Sequence, residues 1–260
     1  MDKRKQHHNQ QPEKDNDDDF MIYGRKAVME LLNAGSPIDK LFVKKGEKEG
    51  AIRATIAKAR EAGVVVVEVP KEKLDLMADG GKHQGIIAQT PAYEYSSVDG
   101  IIAAAKDKGQ DAFILICDKI FDPHNLGAII RTAEACGVHG IIIPKRRSCG
   151  ITPAVVRASA GAVEFVPVAR VANIAQTVEA LKKLNIWVAN MDASGEPIFS
   201  ANLTGAIALV IGNEGAGVSR LVKDKSDFSV SIPMMGDISS LNASVAAAVG
   251  MYEVVRQRRN

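Results

Sequence analysis

The chain has little of several features, and each shortage excludes a class of protein. Its three cysteines, Cys117, Cys136 and Cys149, are odd in number and lack metal-binding spacing, which excludes a disulfide scaffold or a zinc module. They fit free or buried thiols in a reducing compartment. No apolar run reaches the length of a membrane span, and no signal-peptide pattern precedes the first predicted strand. We therefore expect a cytoplasmic protein that does not engage membranes.

Net charge is also nearly absent. The 260 residues include 33 Lys and Arg against 31 Asp and Glu, which gives a formal charge of +2 at pH 7. Binding to a nucleic acid must then come from local basic patches rather than from bulk charge. The second half of the chain also lacks a GxGxxG run after its first predicted strand, which argues against an ordinary Rossmann nucleotide site.

Residues 1–19 form a polar tail with almost no apolar content, for which the composition predicts disorder. It opens with Lys3-Arg4-Lys5 and closes on a run of acidic residues. Contact with RNA is one interpretation of the basic start, and a solvated tail is the favoured one. The His7-His8 pair is too local to indicate a metal site.

Residues 20–91 predict a small α/β domain that opens with a turn leading into an amphipathic helix. Its other predicted elements are strands Ile38–Lys44, Val64–Val69 and Ile86–Gln89, and helices Ile52–Ala62 and Lys71–Met77. Residues 92–110 are polar at first and then weakly helical over Val98–Lys108. We interpret this stretch as a semi-flexible linker between two domains.

Residues 111–260 alternate strand and helix, the pattern of a mostly parallel sheet in an α/β domain. The predicted strands are Phe113–Ile116, Gly140–Pro144, Glu164–Val168, Trp187–Asn190, Ile207–Ile211 and Phe228–Pro233. The predicted helices are Ala128–Cys136, Thr152–Ser159, Ile174–Leu184 and a last one that carries Leu241, Val245, Val249, Tyr252 and Val255.

Two turns late in the chain carry unusual chemistry. The first, residues 212–217, reads GNEGAG and follows an apolar strand; the second, residues 234–242, reads MMGDISSLN and follows the next one. In open α/β sheets, ligands bind beyond the carboxyl ends of strands, so these turns predict a site. Glu214 lies between glycines, where packing gives little reason for a carboxylate. Ser239 or Ser240 is expected to cap the following helix.

A third segment upstream completes a pattern. Asp122-Pro123-His124-Asn125 is followed by Arg131-Thr132-Ala133. Together with the two late turns, this segment resembles the three motifs of the SpoU family of RNA ribose 2′-O-methyltransferases, within the SPOUT superfamily. In residues 20–91, Gly24-Arg25 and His83-Gln84-Gly85 resemble the L30e-like RNA-binding domain that often precedes such enzymes.

The resemblance implies S-adenosylmethionine as cofactor, no metal, and a C-terminal trefoil knot through which the enzyme dimerises, each active site drawing on both subunits. The implied catalytic residues are Asn125, Arg131, Glu214, Ser240 and Asn242. The implied cofactor-binding residues are Asn190, Gly212, Ile232, Met234 and Leu241. For Arg131 two roles stay open: a base with a perturbed pKa, or a group that orients the nucleotide while another takes the proton.

Candidate contacts to RNA occur in both domains. They are Arg25, Lys26, His83, Gln84, Lys145, Arg146 and Arg157. Lys and Arg at these positions would contact phosphates. For the charged residues of the first domain the alternative is solubilising surface charge, and for the Lys145-Arg146-Arg147 run it is a solvated loop.

The pairing of domains implies methylation of a guanosine ribose in 23S rRNA near the peptidyl-transferase centre. One alternative is a tRNA ribose methyltransferase, since enzymes acting on tRNA share all three motifs. Another is a non-catalytic RNA-binding protein of ribosome assembly. The intact Asn125, Arg131, Glu214 and Asn242 argue against that last hypothesis.

Overall fold

A computed structural model describes residues 20–46, 50–78, 80–91, 93–237 and 240–259. The chain divides into two compact units, Met1–Ala92 and Tyr93–Asn260. The polar tail predicted for residues 1–19 lies outside the described residues. Across the described ranges, no helix combines the length and apolar character needed to cross a membrane.

The first unit is built on a four-stranded mixed sheet in the order β1-β4-β2-β3, in which β4 is antiparallel to both its neighbours and β2 is parallel to β3. Its elements are β1 (Phe20–Tyr23), α1 (Arg25–Asn33), β2 (Lys40–Lys44), α2 (Gly50–Glu61), β3 (Val65–Val69), α3 (Lys71–Ala78) and β4 (Ile86–Thr90).

The helices of this unit cover both faces of the sheet. Leu31 of α1 and Ile52 of α2 pack in one apolar cluster, and Leu74 of α3 packs with Phe42 and Ile87 in another. Strand β1, which pairs antiparallel with β4, was not predicted. It is four residues long without apolar–polar alternation, so its pairing with β4 rather than its own pattern defines it.

The second unit is built on a six-stranded sheet in the order β10-β8-β9-β5-β6-β7, with parallel pairing throughout. Its strands are β5 (Phe113–Cys117), β6 (Gly140–Pro144), β7 (Val168–Val171), β8 (Trp187–Pro197), β9 (Ile207–Ile211) and β10 (Phe228–Ser231). Its helices are α4 (Val98–Asp107), α5 (Pro123–Ala135), α6 (Pro153–Ala158), α7 (Ile174–Lys183), α8 (Arg220–Lys225) and α9 (Ala243–Arg259).

Helices cover both faces of this sheet too. One apolar cluster combines residues of α5, α6 and α9, such as Ile130 and Met251, with one face of the strands. The other combines α4, α7 and α8, including Leu181, with the opposite face. Every residue of β5 and of β9 is buried, as expected for central strands covered on both sides. The predicted α/β class with a mostly parallel sheet is confirmed.

The predicted strand Glu164–Val168 is wrong. Gly161, with a φ of 85°, leads into a short 3₁₀ helix over Ala162–Glu164, and the strand begins only at Val168. Phe165 is 78% exposed, so the apolar run that suggested a strand is not buried as one.

The linker predicted for residues 92–110 also needs correction. Helix α4 buries Ile101 and Ile102 against the second sheet. Upstream of it, the Ser96 amide donates a hydrogen bond to the Val168 carbonyl at 2.8 Å. Ser96 also forms an isolated parallel β-bridge with Ala169 of the edge strand β7. The chain from Tyr93 onward therefore belongs to the second unit.

Helix α5 begins at Pro123, five residues earlier than predicted. Asp122 caps it, accepting a hydrogen bond from the His124 amide at 2.8 Å. Proline in the first turn is compatible with a helix because its missing amide hydrogen has no intrahelical partner there. The early start brings Asn125 into the first turn of α5. Helix α8, six residues long, was missed.

The strand order contains a topological switch point. From β5 the sheet continues through β6 and β7 on one side and through β9, β8 and β10 on the other. The turns after β5 and β9 therefore leave the same edge of the sheet side by side. In doubly wound sheets this crevice is where ligands bind.

Gly127 permits the close approach of α5 to α6. A Cβ built on Gly127 would lie 2.4 Å from the Ala158 Cβ and 2.9 Å from the Ser159 amide nitrogen. We expect Gly127→Ala to destabilise the second unit by about 1–3 kcal/mol through overpacking. Denaturant unfolding followed by the fluorescence of Trp187 measures this change. Adding Ala158→Gly should recover part of the loss, and an unchanged midpoint for Gly127→Ala alone would contradict the packing argument.

Candidate active site

Three polar side chains from separate segments meet at the carboxyl edge of the second sheet. Asn125 Nδ2 donates to Glu214 Oε1 at 2.5 Å, and Asn242 Nδ2 donates to the same oxygen at 2.7 Å and to Asn125 Oδ1 at 3.0 Å. These residues come from the first turn of α5, the turn after β9 and the residue before α9. We call them the Asn–Glu–Asn triad.

The orientation of the triad amides is fixed by α9. Asn242 Oδ1 accepts hydrogen bonds from the Ser244 amide at 2.9 Å and the Ser244 hydroxyl at 2.6 Å, so Asn242 caps the helix. Its Nδ2 must then face Glu214 and Asn125. The prediction that Ser240 caps this helix is therefore wrong, because Asn242 does so. The other predicted cap, Ser239, lies outside the described residues.

The glycine-rich turn that carries Glu214 is held by its own backbone. Asn213 and Gly217 exchange amide–carbonyl hydrogen bonds of 3.2 and 2.8 Å. A Cβ on Gly212 would lie 2.1 Å from the Gly217 carbonyl carbon, so only glycine fits there. Asp118, 3% exposed, accepts from the Ser219 amide at 2.7 Å and fixes the far end of the turn. Sequence reasoning missed this role of Asp118, although the residue follows β5 directly.

A cavity of about 570 Å³ opens beside the triad, a size typical of cofactor sites. Four of the five predicted cofactor-binding residues line it: Gly212, Ile232, Met234 and Leu241. Ser240 and Glu214 line it as well.

Asn190 is the predicted cofactor residue that does not reach the cavity. It is 1% exposed, and its amide donates to the Phe228 carbonyl at 3.1 Å and accepts from the Ser229 hydroxyl at 3.1 Å. Asn190 therefore links β8 to β10 through side-chain hydrogen bonds. The neighbouring Met191 lines the cavity in its place.

The cavity combines apolar walls with negative charge. Asp192 lines it, and hydrogen bonds from Lys223 and then Ser194 lower the pKa of this carboxyl to about 2, so it is ionised at neutral pH and forms an ion pair with Lys223. Glu214 is a second carboxylate, with Ile232 and Leu241 as apolar neighbours. An adenine ring fits the apolar wall, and a sulfonium or ammonium group fits the acidic side. These residues therefore suit S-adenosylmethionine.

Metal and thiol chemistry find no support here. Among the described residues, no group of three or more His, Cys, Asp or Glu is placed to hold a metal ion. All three cysteines are free thiols. Burial raises the pKa of Cys117 to about 12 and that of Cys136 to about 11, which disfavours the reactive thiolate.

Arg131 stands apart from the triad. It is exposed on α5, six residues after Asn125, which puts the two side chains about 120° apart around the helix axis. Within the described part of the chain, Arg131 makes no hydrogen bond or ion pair.

Of the RNA contacts predicted for the first unit, His83 is buried and has a structural role, whereas Gln84 is exposed. His83 is 7% exposed; its Nδ1 accepts from the Gly85 amide at 3.0 Å, so Nε2 donates to Asp75 at 2.8 Å. Gln84 accepts two hydrogen bonds of 3.2 Å from Arg25. The prediction that His83 contacts RNA is therefore wrong, because its buried ring links Asp75 to the Gly85 amide. Lys26 is exposed.

The predicted contacts of the second unit lie at its surface. Lys145, Arg146 and the next residue, Arg147, are exposed in the loop between β6 and α6. Arg157 is exposed on α6, the short helix that packs against α5. Helix α6 therefore places Arg157 on an element next to α5, whose first turn carries Asn125.

Comparison with known families assigns both units. Residues 112–252 match the SpoU rRNA methylase family, and residues 21–96 match the family described as RNA 2′-O ribose methyltransferase substrate binding. The chain is 48% identical over 242 residues to YacO of Bacillus subtilis, a protein assigned to the TrmH family of tRNA/rRNA methyltransferases. The alignment spans 92% of this chain and 96% of YacO.

Solved structures agree with this assignment. The SpoU methyltransferase AviRb of Streptomyces viridochromogenes, in complex with AdoMet, matches with a TM-score of 0.60 and 27% identity over 92% of this chain and 90% of that one. An AdoMet-bound rRNA methyltransferase of Sinorhizobium meliloti matches with a TM-score of 0.57 and 25% identity over 92% and 87%.

The doubly wound sheet, the cavity beyond the carboxyl ends of β8, β9 and β10 and the polar triad beside it fit an enzyme that binds a small organic cofactor. The family matches add the substrate: this class of enzyme methylates RNA with S-adenosylmethionine. The chain belongs to the SpoU, or TrmH, family of RNA methyltransferases.

Two substitutions of Glu214 can separate the effect of its charge from the effect of its hydrogen bonds in the triad. Because both amides donate to Oε1, Glu214→Gln can keep both hydrogen bonds while it loses the charge, whereas Glu214→Ala loses both bonds. We expect kcat/KM for RNA to fall on the order of 100-fold in Glu214→Ala, through misplacement of Asn125 and Asn242, and by less in Glu214→Gln. The exposed Glu164→Ala serves as control. Wild-type kcat/KM in Glu214→Ala would contradict a role for the triad.

Proposed function

We propose that this protein transfers a methyl group from S-adenosylmethionine to a ribose 2′-hydroxyl in RNA. The observation that carries the proposal is the Asn–Glu–Asn triad at the rim of the acidic cavity. Hydrogen-bonding groups that face such a cavity are suited to hold a hydroxyl next to a bound methyl donor. The family description of the first unit, as a ribose 2′-O-methyltransferase substrate-binding domain, supports the same acceptor atom.

The triad leaves one oxygen for the substrate. Glu214 Oε1 accepts both amides, while no described residue donates to Oε2. Oε2 can accept a hydrogen bond from a ribose hydroxyl and fix it in line with the donor methyl. Asn125 and Asn242 hold the carboxylate for this task, and Ser240 at the cavity wall contributes a further hydroxyl. The cofactor, when bound, supplies the electrophilic methyl group.

We propose ribosomal RNA as the substrate class, and a guanosine of 23S rRNA near the peptidyl-transferase centre as the target. The rRNA methylase description of the second unit and the nearly full-length likeness to an rRNA methyltransferase support the class. The nucleotide rests on the resemblance of motifs and domain pairing alone. A tRNA ribose is the second candidate, because the name of the Bacillus relative covers both substrates.

Transcripts of 23S rRNA and of tRNA, incubated with enzyme and methyl-labelled cofactor, test this choice. We expect label in 23S rRNA, at one nucleotide whose 3′ phosphodiester resists alkaline hydrolysis, because that cleavage needs a free 2′-hydroxyl. Label confined to tRNA would overturn the substrate class. Label at an alkali-sensitive nucleotide would overturn ribose methylation.

We also propose that the enzyme is a homodimer through its C-terminal region, which we expect to be knotted, and that its first unit is L30e-like. Val245 and Tyr252 of α9 are apolar and about half exposed, which supports an interface there. Arg131 leaves α5 out of phase with Asn125, which supports delivery of Arg131 to the active site of the partner subunit.

Mixed dimers test the shared site. In a heterodimer of one Arg131→Ala subunit and one Glu214→Ala subunit, one site keeps an intact triad and faces an intact Arg131. We expect about half of wild-type kcat from purified heterodimers, while each homodimer is strongly impaired. Inactive heterodimers would indicate that Arg131 serves its own subunit, and a monomer by light scattering would reject the dimer itself.

A further inference from the structure

The loop of residues 145–151, between β6 and α6, is fixed at several points despite its charge. Its first amide, Lys145, donates to the Val171 carbonyl at 2.8 Å, and Arg170 donates to the Lys145 carbonyl at 3.0 Å. At the far end, the Ile151 amide donates to the Tyr95 hydroxyl at 2.8 Å. Arg170 also lies over the Tyr95 ring, 4.9 Å from its centroid, so the two anchors brace each other.

The middle of this loop is attached to the segment that leads into the active site. The Ser148 hydroxyl and the Cys149 amide both donate to the Ile120 carbonyl, at 2.9 and 2.7 Å. Arg147 precedes Ser148, and Phe121 follows Ile120. The cationic loop and Phe121 are therefore joined through one carbonyl group, a short distance before the first turn of α5.

Phe121 is exposed where an apolar side chain is usually withdrawn. It stands just before the cap of α5, a position from which apolar residues commonly pack onto the fourth helical residue, here Leu126. Leu126 is fully buried, yet Phe121 leaves 56% of its surface exposed. Its neighbour Ile120 is 2% exposed, so the ring projects from a rigid base. A single exposed ring needs no explanation, but this one is joined to a loop with three cations and precedes the helix that carries Asn125 of the Asn–Glu–Asn triad.

We infer that Phe121 and the cations of residues 145–147 form one surface that binds single-stranded RNA next to the methylation site, the ring against an unpaired base and the cations on phosphates. This inference rests on the proposed function and adds which form of RNA the site takes. Lys145 and Arg147 make no side-chain hydrogen bond or ion pair with any described residue. Among nearby carboxylates, that of Asp122 is engaged in capping α5.

The chemistry selects an unpaired strand. In a duplex the base faces are covered by stacking, so an aromatic ring on a protein surface can stack only on a base that has left the helix. Such stacking tolerates any base and adds to phosphate contacts that salt weakens. Phe121 is thus assigned to positioning the target strand.

The probe is a short oligouridylate, with the same strand paired to oligoadenylate as the duplex form. We expect wild-type enzyme to prefer the single strand, and Phe121→Ala to weaken its binding about tenfold while Phe121→Tyr restores it. Arg147→Gln should lower the slope of log affinity against log salt by about 0.7, the value for one phosphate of a single strand. Cofactor affinity, measured by calorimetry, should stay unchanged in all three variants.

Matched controls lie at the opposite edge of the sheet. Trp187→Ala removes a ring that is 59% exposed at the amino end of β8, and Lys183→Gln removes an exposed cation at the end of α7. Neither should change oligouridylate binding or its salt slope. Equal losses in Phe121→Ala and Trp187→Ala, or duplex bound as tightly as single strand, would overturn the inference.

Methylation of full-length transcripts, assayed in parallel, distinguishes failure of this inference from failure of the proposed function. If wild-type enzyme methylates RNA and Phe121→Ala keeps the wild-type KM for it, the surface is rejected and the proposed function stands. If no transcript is methylated, the proposed function fails, whatever the oligonucleotide binds.

Discussion

The site depends on the two hydrogen bonds that the Glu214 carboxylate accepts from Asn125 and Asn242. They join three turns that are far apart in the sequence, and none of these turns would hold its position in isolation. Because Asn242 also caps α9, the geometry of the site is coupled to the start of the last helix. An uncapped α9 would leave Nδ2 of Asn242 free to turn away from Glu214. The polar network and the helix therefore order each other.

The sheet makes this interaction possible by setting two turns side by side. Strands β5 and β9 are adjacent, parallel and fully buried, so the segments that follow them leave at the same height. Asp118 then ties the end of β5 to the residues after the glycine-rich turn, through the Ser219 amide. A buried carboxylate that accepts a backbone amide is costly to disrupt, which makes the crevice rigid before any ligand enters.

Sequence patterns predicted the elements whose burial is complete and missed those defined by their neighbours. Strands β6 and β9 have the predicted bounds because continuous β-branched runs between turn residues indicate buried strands. Strand β1 is defined by its pairing with β4, and the run at 164–168 has strand-like composition but starts in a short 3₁₀ helix and becomes a strand only at Val168. At the site, motif resemblance named Asn125, Glu214 and Asn242, which the structure brings together. It could not distinguish the buried Asn190 from residues that line the cavity, because burial depends on the register of β8 and β10.

Charge is divided between the cavity and its surroundings, which explains how a nearly neutral chain can bind two substrates of opposite charge. The cavity wall has the carboxylate of Glu214 and that of Asp192, which is paired with Lys223, and these oxygens can accept hydrogen bonds from the ammonium group of a cofactor. The exposed residues 145–147, Arg131 and Arg157 are cationic and favour phosphates. On the proposed function, phosphates held by these surface cations would bring one ribose to the rim of the cavity, where Glu214 lies. Bulk charge would attract RNA without orienting it, whereas this separation directs each substrate to its own side of the reacting atoms.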